Sequence, residues 1–115
     1  LSAFAAAAAL PARAQRPTAL EWAAGSVGGS WFTIVSGLSN LVTEADPTLT
    51  FRVVPGGGRD NPSKVQAGLS QVAMGIDFLA AAAFNGTDPY RARHDKLRSL
   101  GGGWAPAQFH VFGPK

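Results

Sequence analysis

Ala24-Gly-Ser-Val-Gly-Gly-Ser-Trp-Phe32, the stretch AGSVGGSWF, decides how the chain is read. It stands between a short apolar run, Leu20 to Ala24, and an amphipathic run that starts at Trp31. Glycines and serines therefore sit where a strand hands over to a helix. The first turn of a helix has amide groups without intrahelical acceptors and the positive end of the helix dipole, so an anion is favoured there. Glycines let main chain come close to such a group, and serine hydroxyls add donors. The stretch predicts a turn that holds a carboxylate or a similar anion.

On the C-terminal side, Trp31, Ile34, Val35, Leu38, Leu41 and Val42 repeat at helical spacing, which predicts a helix from Ser30 to Ala45 stopped by Asp46-Pro47. Gly37 inside it suggests close packing. On the N-terminal side, Leu20 to Ala24 reads as a buried first strand. Thr50-Phe-Arg-Val-Val54 alternates and is rich in β-branched and aromatic residues, the pattern of a second strand closed by Pro55. Gly56-Gly-Gly-Arg-Asp-Asn61 then repeats the opening arrangement, with Pro62 in the first turn of a short helix that ends at Gly68. Gln71 to Ile76 reads as a third strand, and Asp77 as the N-cap of a helix from Phe78 to Phe84 that Asn85-Gly86 ends. Leu97 to Leu100 and Phe109 to Phe112 read as two further strands. Strands alternating with helices predict an α/β domain with a largely parallel sheet.

Composition narrows the function classes. The 115 residues have the length of one domain, with 46% apolar content and no cysteine, so disulfides and thiol catalysis are excluded. The formal charge of +3 includes Arg13; without it nine basic residues face seven acidic ones, which argues against a nucleic-acid partner. Leu1 to Leu10 is apolar but spans only about 15 Å as a helix, half a bilayer core. Followed by Pro11 and Ala12-Arg-Ala14, it reads as the remnant of a secretory signal, residues 1–15, with the mature part beginning near Gln15 or Arg16 and working outside the cytoplasm. The alternative is an alanine-rich helix of the mature domain. Val111-Phe112 followed by Gly113-Pro-Lys115 reads as a strand cut short.

In an open parallel sheet, ligands bind beyond the C-terminal ends of the strands. Three turns fall there: Gly25 to Ser30, Gly56 to Asn61, and Asp77-Phe78. The candidate ligand-binding residues are Ser26, Val27, Gly28, Gly29, Ser30, Trp31 and Phe32 of the first turn, Gly57, Gly58, Arg59 and Asn61 of the second, and Asp77 and Phe78 of the third. Arg59 either pairs with a ligand carboxylate or lies solvated beside Asp60. Asn61 either donates to ligand or caps the next helix. Trp31 begins the apolar stripe and is assigned to the core, which makes Phe32 the better pocket wall. Asp77 reads as a cap rather than a catalytic acid, having no second carboxylate near it. His94 and His110 lack neighbours at metal-ligand spacing, so no metal site is expected and both are read as structural or surface residues. The run from Arg91 to Arg98 reads as a solvated loop or a face for a protein partner. The first turn is only a loose relative of the dinucleotide fingerprint, whose acidic residue at the end of the second strand is replaced here by Val54-Pro55, and the second turn lacks the Gly-Lys-Ser/Thr of a P-loop. No cofactor is expected.

Gly25-Ser-Val-Gly-Gly-Ser-Trp-Phe32, Val54-Pro-Gly-Gly-Gly-Arg-Asp-Asn61 and the helix closing with Asn85-Gly86 resemble, in order and spacing, the TAXI-type extracytoplasmic solute receptors of TRAP transporters. That family opens its first helix with G-x-x-G-G-x-[YW]-[YF], ends its second strand in a G-G-S-x-x-N turn, and begins a later strand with a Leu-Arg pair, here Leu97-Arg98. The resemblance covers Leu20 to Phe112. It implies a type II periplasmic-binding-protein fold, of which residues 16–115 are the N-terminal part of the first lobe, and a ligand such as a dicarboxylate or glutamate passed to a membrane permease. It also implies that Ser26 to Trp31, Gly57, Gly58 and Asn61 contribute to the site. The chain departs from the pattern at Gly58, where the family has serine, and at Ile76-Asp-Phe78, where it often has a polar Gln-Ser-Asp-like run. Two competing readings are an α/β enzyme that binds a phosphate-bearing cofactor at the glycine turns and an inactive truncated gene product.

Overall fold

The computed structural model describes residues 18–104. In chain order these form β1 (Thr18–Ala23), α1 (Ser30–Ala45), β2 (Leu49–Val54), α2 (Asn61–Gln66), β3 (Val72–Ala73) and α3 (Asp77–Asn85). The three strands make one parallel sheet in the order β2-β1-β3. The protein is α/β, as the alternation predicts.

Register follows from which side chains can share a face. Thr18 pairs with Leu49 and Ala23 with Val54, so Leu20, Trp22, Phe51 and Val53 lie on one face. Trp22 and Phe51 are diagonal neighbours there, with ring centroids 5.4 Å apart. On the opposite face Glu21 and Arg52 are direct cross-strand partners and form an ion pair. The hydroxyl of buried Ser70, just before β3, donates to Glu21 Oε1 at 2.7 Å, and Arg52 adds its charge. Both hold the Glu21 carboxyl below its ordinary range.

Helix ends have identifiable chemistry. Asp46 Oδ1 accepts from the Thr48 amide at 3.0 Å and the Thr48 hydroxyl at 2.6 Å, which fixes the descent from α1 into β2 and lowers the Asp46 pKa. Gly86 closes α3 in the left-handed conformation, φ 72°, with its own amide on Ala83 O and the Thr87 amide on Ala82 O.

Several expectations need correction. Of the predicted α1 stripe, Val35 is fully buried, but Leu41 is 62% exposed and Ser39 takes an inner position. An ideal Cβ on Gly37 would meet nothing within 4 Å, so this glycine marks no close packing. The third strand is two residues long rather than six; just past it the Met74 amide still donates to Ala23 O at 2.8 Å, while its carbonyl accepts from the Asn61 side chain. Asp77 is the first residue of α3, not its cap; Ile76 holds the cap position. Leu97 to Leu100 is irregular, since no strand among the described residues lies beside it to supply ladder partners, and Leu100 is 85% exposed. The signal remnant at residues 1–15, the strand Phe109 to Phe112 and His110 lie outside the described residues. Among the described residues no helix is long and apolar enough to cross a membrane.

Candidate functional site

The three turns meet at the C-terminal edge of the sheet. The Gly25 carbonyl accepts from the Gly56 amide at 3.1 Å, which joins the first turn to the second. Asn61 then ties all three strand ends together. Its side chain is fully buried; Oδ1 accepts from the Gly57 amide at 3.1 Å, and Nδ2 donates to Ala24 O at 2.8 Å and to Met74 O at 2.7 Å. An amide side chain carries one acceptor and two donors, and all are engaged inside the protein. Asn61 therefore supports the edge from beneath. Its side chain neither caps α2 nor keeps a free donor for a ligand.

The first turn is built differently. The Gly29 amide donates to Ser26 O at 3.0 Å, and Gly28 has φ +82°, the geometry of a type II turn that needs glycine at its third position. Gly29 caps α1 in an extended conformation with no side-chain bond. Among the described residues the amides of Ser30, Trp31 and Phe32 find no acceptor. Ser26, Val27, Gly28 and Ser30 are exposed, Val27 by 72%. This combination of open amides, hydroxyls and a helix dipole suits a carboxylate.

Trp31 behaves unlike the core residue expected of it. It is half-buried, with Cβ and ring against Gly25, and its Cη2 lies 3.6 Å from an ideal Cβ on Gly58. The ring thus lies between the first and second turns. Phe32 is also half-buried. Beside Trp31, Ile76 packs onto Gly58 so closely that an ideal Cβ would lie 2.6 Å from Ile76 Cδ1. The serine of the resembling family has no room here unless Ile76 moves.

The second turn presents fewer open donors. The Gly57 carbonyl accepts from the amides of Asp60 and Asn61 at 3.1 and 2.9 Å, and Pro62 has no N–H. The exposed Arg59 makes no ion pair with Asp60 or any other described residue, and its main-chain carbonyl accepts from the Tyr90 hydroxyl at 2.7 Å. At the third turn the Asp77 carboxylate accepts from the Phe78 amide at 2.7 Å, and Phe78 is 53% exposed. Asp77 thus fills part of the α3 amide cluster with a negative charge of its own.

Sequence reasoning missed Ile76 and Tyr90. Tyr90 is the chain's single tyrosine, set in a polar segment, and the structure buries it to 8% exposure. Its neighbourhood explains the basic run. His94 packs edge-on to Tyr90, donates from Nδ1 to Ala92 O and accepts from the Ser63 hydroxyl at Nε2, both at 2.9 Å. Arg93 lies over the Phe84 ring, and Gln66 binds Asp95 and the Lys96 amide. Residues 90–96 therefore hold α2 and α3, and His94 is structural. The His94 Nδ1 is taken by Ala92 O and, among the described residues, no carboxylate orients the imidazole, so the Ser63–His94 contact lacks the third group of a hydrolytic triad. Among the described residues no cluster of side chains is arranged to bind a metal ion.

Among the described residues, the edge of the parallel α/β sheet gathers main-chain donors, an arrangement suited to holding a ligand. Residues 22–113 match the NMT1-like family, and the chain belongs to that family. The family is of periplasmic-binding-protein type: its members bind a small solute, serve a membrane transporter and are typically extracytoplasmic, and it is a family of binding proteins rather than enzymes. No match was found among curated proteins or solved structures.

Proposed function

We propose that the chain is the N-terminal part of the first lobe of an extracytoplasmic solute receptor of a TRAP-type transporter, of the TAXI kind. It captures a small organic anion and delivers it to the membrane permease without chemical change. Residues 1–15 are read as the remnant of the export signal. The observation that carries this reading is the open α1 N-terminus at the edge where the three turns meet, inside a region that matches a solute-binding family. The ligand carboxylate lies on the amides of Ser30 to Phe32 and the hydroxyls of Ser26 and Ser30. Arg59, Gly57, Gly58, Val27, Asp77 and Phe78 border it, and Asn61 fixes the turns without touching it. Closure of a second lobe over this edge excludes water and strengthens each charge-assisted bond.

Calorimetric titration of the intact protein with a panel of organic acids and amino acids tests the reading. Saturable binding is expected, and Ser26→Ala with Ser30→Ala should weaken it several-fold while leaving the unfolding midpoint in place. Absence of binding across the panel would rule the proposal out.

A further inference from the structure

Residues 88–98 form neither helix nor strand, yet side chains fix them in place. Tyr90 is buried with its hydroxyl on Arg59 O, and the His94 amide donates to Ala83 O at 2.8 Å while its ring meets Ser63. The Lys96 amide donates to Gln66 Oε1 at 3.1 Å, and Leu97 is half-buried. Tyr90 and His94 thus turn inward onto the second turn, α2 and α3. Every residue between Tyr90, His94 and Leu97 is exposed, Arg91, Arg93 and Lys96 among them, and exposed Arg98 follows. With its anchors on the inner side, the segment sets its cations on the outer one.

These four cations face two carboxylates of the same segment, Asp88 and Asp95. Asp95 accepts from Gln66 Nε2 at 3.3 Å, and among the described residues none of the four cations is ion-paired. Arg93 lies over the Phe84 ring and Arg98 bonds the carbonyls of Asp95 and Leu97, so both charges are held in fixed places. Exposed Arg59 adds a cation at the Tyr90 end, beside Asp60. Unpaired cations on a fixed framework suit a partner that presents carboxylates, and an arginine fork takes a carboxylate through two parallel bonds. A lipid surface fits less well. Stable membrane attachment needs an apolar signal beside the charges, and the exposed positions of residues 91–98 offer no apolar side chain beyond Ala92. Exposed Leu100 and Trp104 come after Leu97, where the described anchors end. Resting on the receptor reading above, we propose that residues 91–98 are a docking surface for the transporter and receive acidic extracytoplasmic loops of its membrane subunits. None of these residues belongs to the three turns, so docking and solute capture draw on different side chains.

The test uses the intact protein with right-side-out membrane vesicles of the source cell, and reads vesicle association and solute uptake. Arg91→Glu combined with Lys96→Glu should slow association about 10-fold and lower uptake with it, while solute affinity by calorimetry and the unfolding midpoint stay in place. High salt should slow the natural protein in the same way and the variant little further. A water-soluble carbodiimide, which condenses an amine and a carboxylate to an amide with loss of water, should join Lys96 Nζ to an aspartate or glutamate of a membrane-embedded transporter subunit. Lys96→Arg should abolish that cross-link and keep the association. Equal association of the charge-reversed and natural proteins, or absence of a cross-link to a transporter subunit, overturns this inference and leaves the receptor reading standing. Association that survives protease treatment of the vesicles and recurs on phosphatidylglycerol liposomes overturns it in favour of a lipid surface. A protein that binds no solute removes the receptor reading, and this inference with it.

Discussion

The two glycine turns look alike in sequence and do opposite things in space. In the first, Ser26 to Gly28 and Ser30 are exposed, one internal hydrogen bond holds the turn, and the first amides of α1 are left without acceptors among the described residues. Gly56 to Asn61 is stitched from below by the Asn61 amide and from above by the Tyr90 hydroxyl on Arg59 O. At Gly28 in the first turn glycine gives access; at Gly56 and Gly58 in the second it gives fit. An ideal Cβ on Gly56 would lie 2.1 Å from Asn61 Oδ1, while one on Gly28 would meet nothing within 4 Å. Rigidity and availability are thus divided between neighbouring turns, and the first can stay open because the second holds the strand ends in place.

The most damaging way to break this division is at Asn61. Asn61→Ala leaves the Gly57 amide and the carbonyls of Ala24 and Met74 without their partner, and is expected to cost about 3 kcal/mol in urea denaturation. Asn61→Asp should be no milder, because it turns an oxygen toward carbonyls that now receive a donor. Ser30→Ala, in the open turn, should shift stability by less than about 0.5 kcal/mol. Equal losses from the two turns would show that they are not divided in this way.

Gly56→Ala comes next, at about 2 kcal/mol, since the added methyl must displace both Asn61 Oδ1 and Ala24 O, 2.9 Å away. Gly57→Ala is the control one residue on, where the nearest atom is 4.0 Å away and stability should hardly change. Comparing the two midpoints separates a steric requirement from glycine content.

Much of the scaffold is legible from pattern. The α1 stripe, the Asp46-Pro47 stop and the alternation in β2 place their elements to within a residue or two, because each depends on local periodicity and turn chemistry. The parts that pattern does not reveal depend on long-range contacts. Nothing near Asn61 in sequence announces that its amide will reach strand ends 37 and 13 residues away. Ile76 looks like the end of a strand until it is seen on Gly58. Trp31 fits a helical stripe equally well whether its ring enters the core or crosses to the next turn. Leu41, likewise, satisfies the period yet lies on a surface that no described element covers.

A smaller effect sharpens the open side of the comparison. Gly28→Ala should cost about 1 kcal/mol, all of it from holding a Cβ at φ +82° rather than from a clash. Gly28→Asn should recover part of that loss, because asparagine tolerates the left-handed region better. If Gly28→Asn instead behaves like a bulky β-branched residue, the first turn is more crowded than an access turn should be.

An effect of similar size is expected at Tyr90, and its sign can be worked out. Tyr90 is buried with its hydroxyl donated to Arg59 O, and desolvation raises its pKa above the ordinary 10.0, the nearby Arg59 charge opposing only part of the rise. The folded protein therefore holds the phenolic proton more tightly than the unfolded chain does. The resulting stability is fully present below about pH 10 and is lost as pH rises through the folded-state value. Tyr90→Phe should lower stability by about 1 kcal/mol at neutral pH through loss of one hydrogen bond. The same variant should flatten the decline above pH 10, so that the two curves approach each other in alkali. Parallel curves would mean that Tyr90 does not report on the second turn, and that the basic segment is held through α2 by His94 and Gln66 instead.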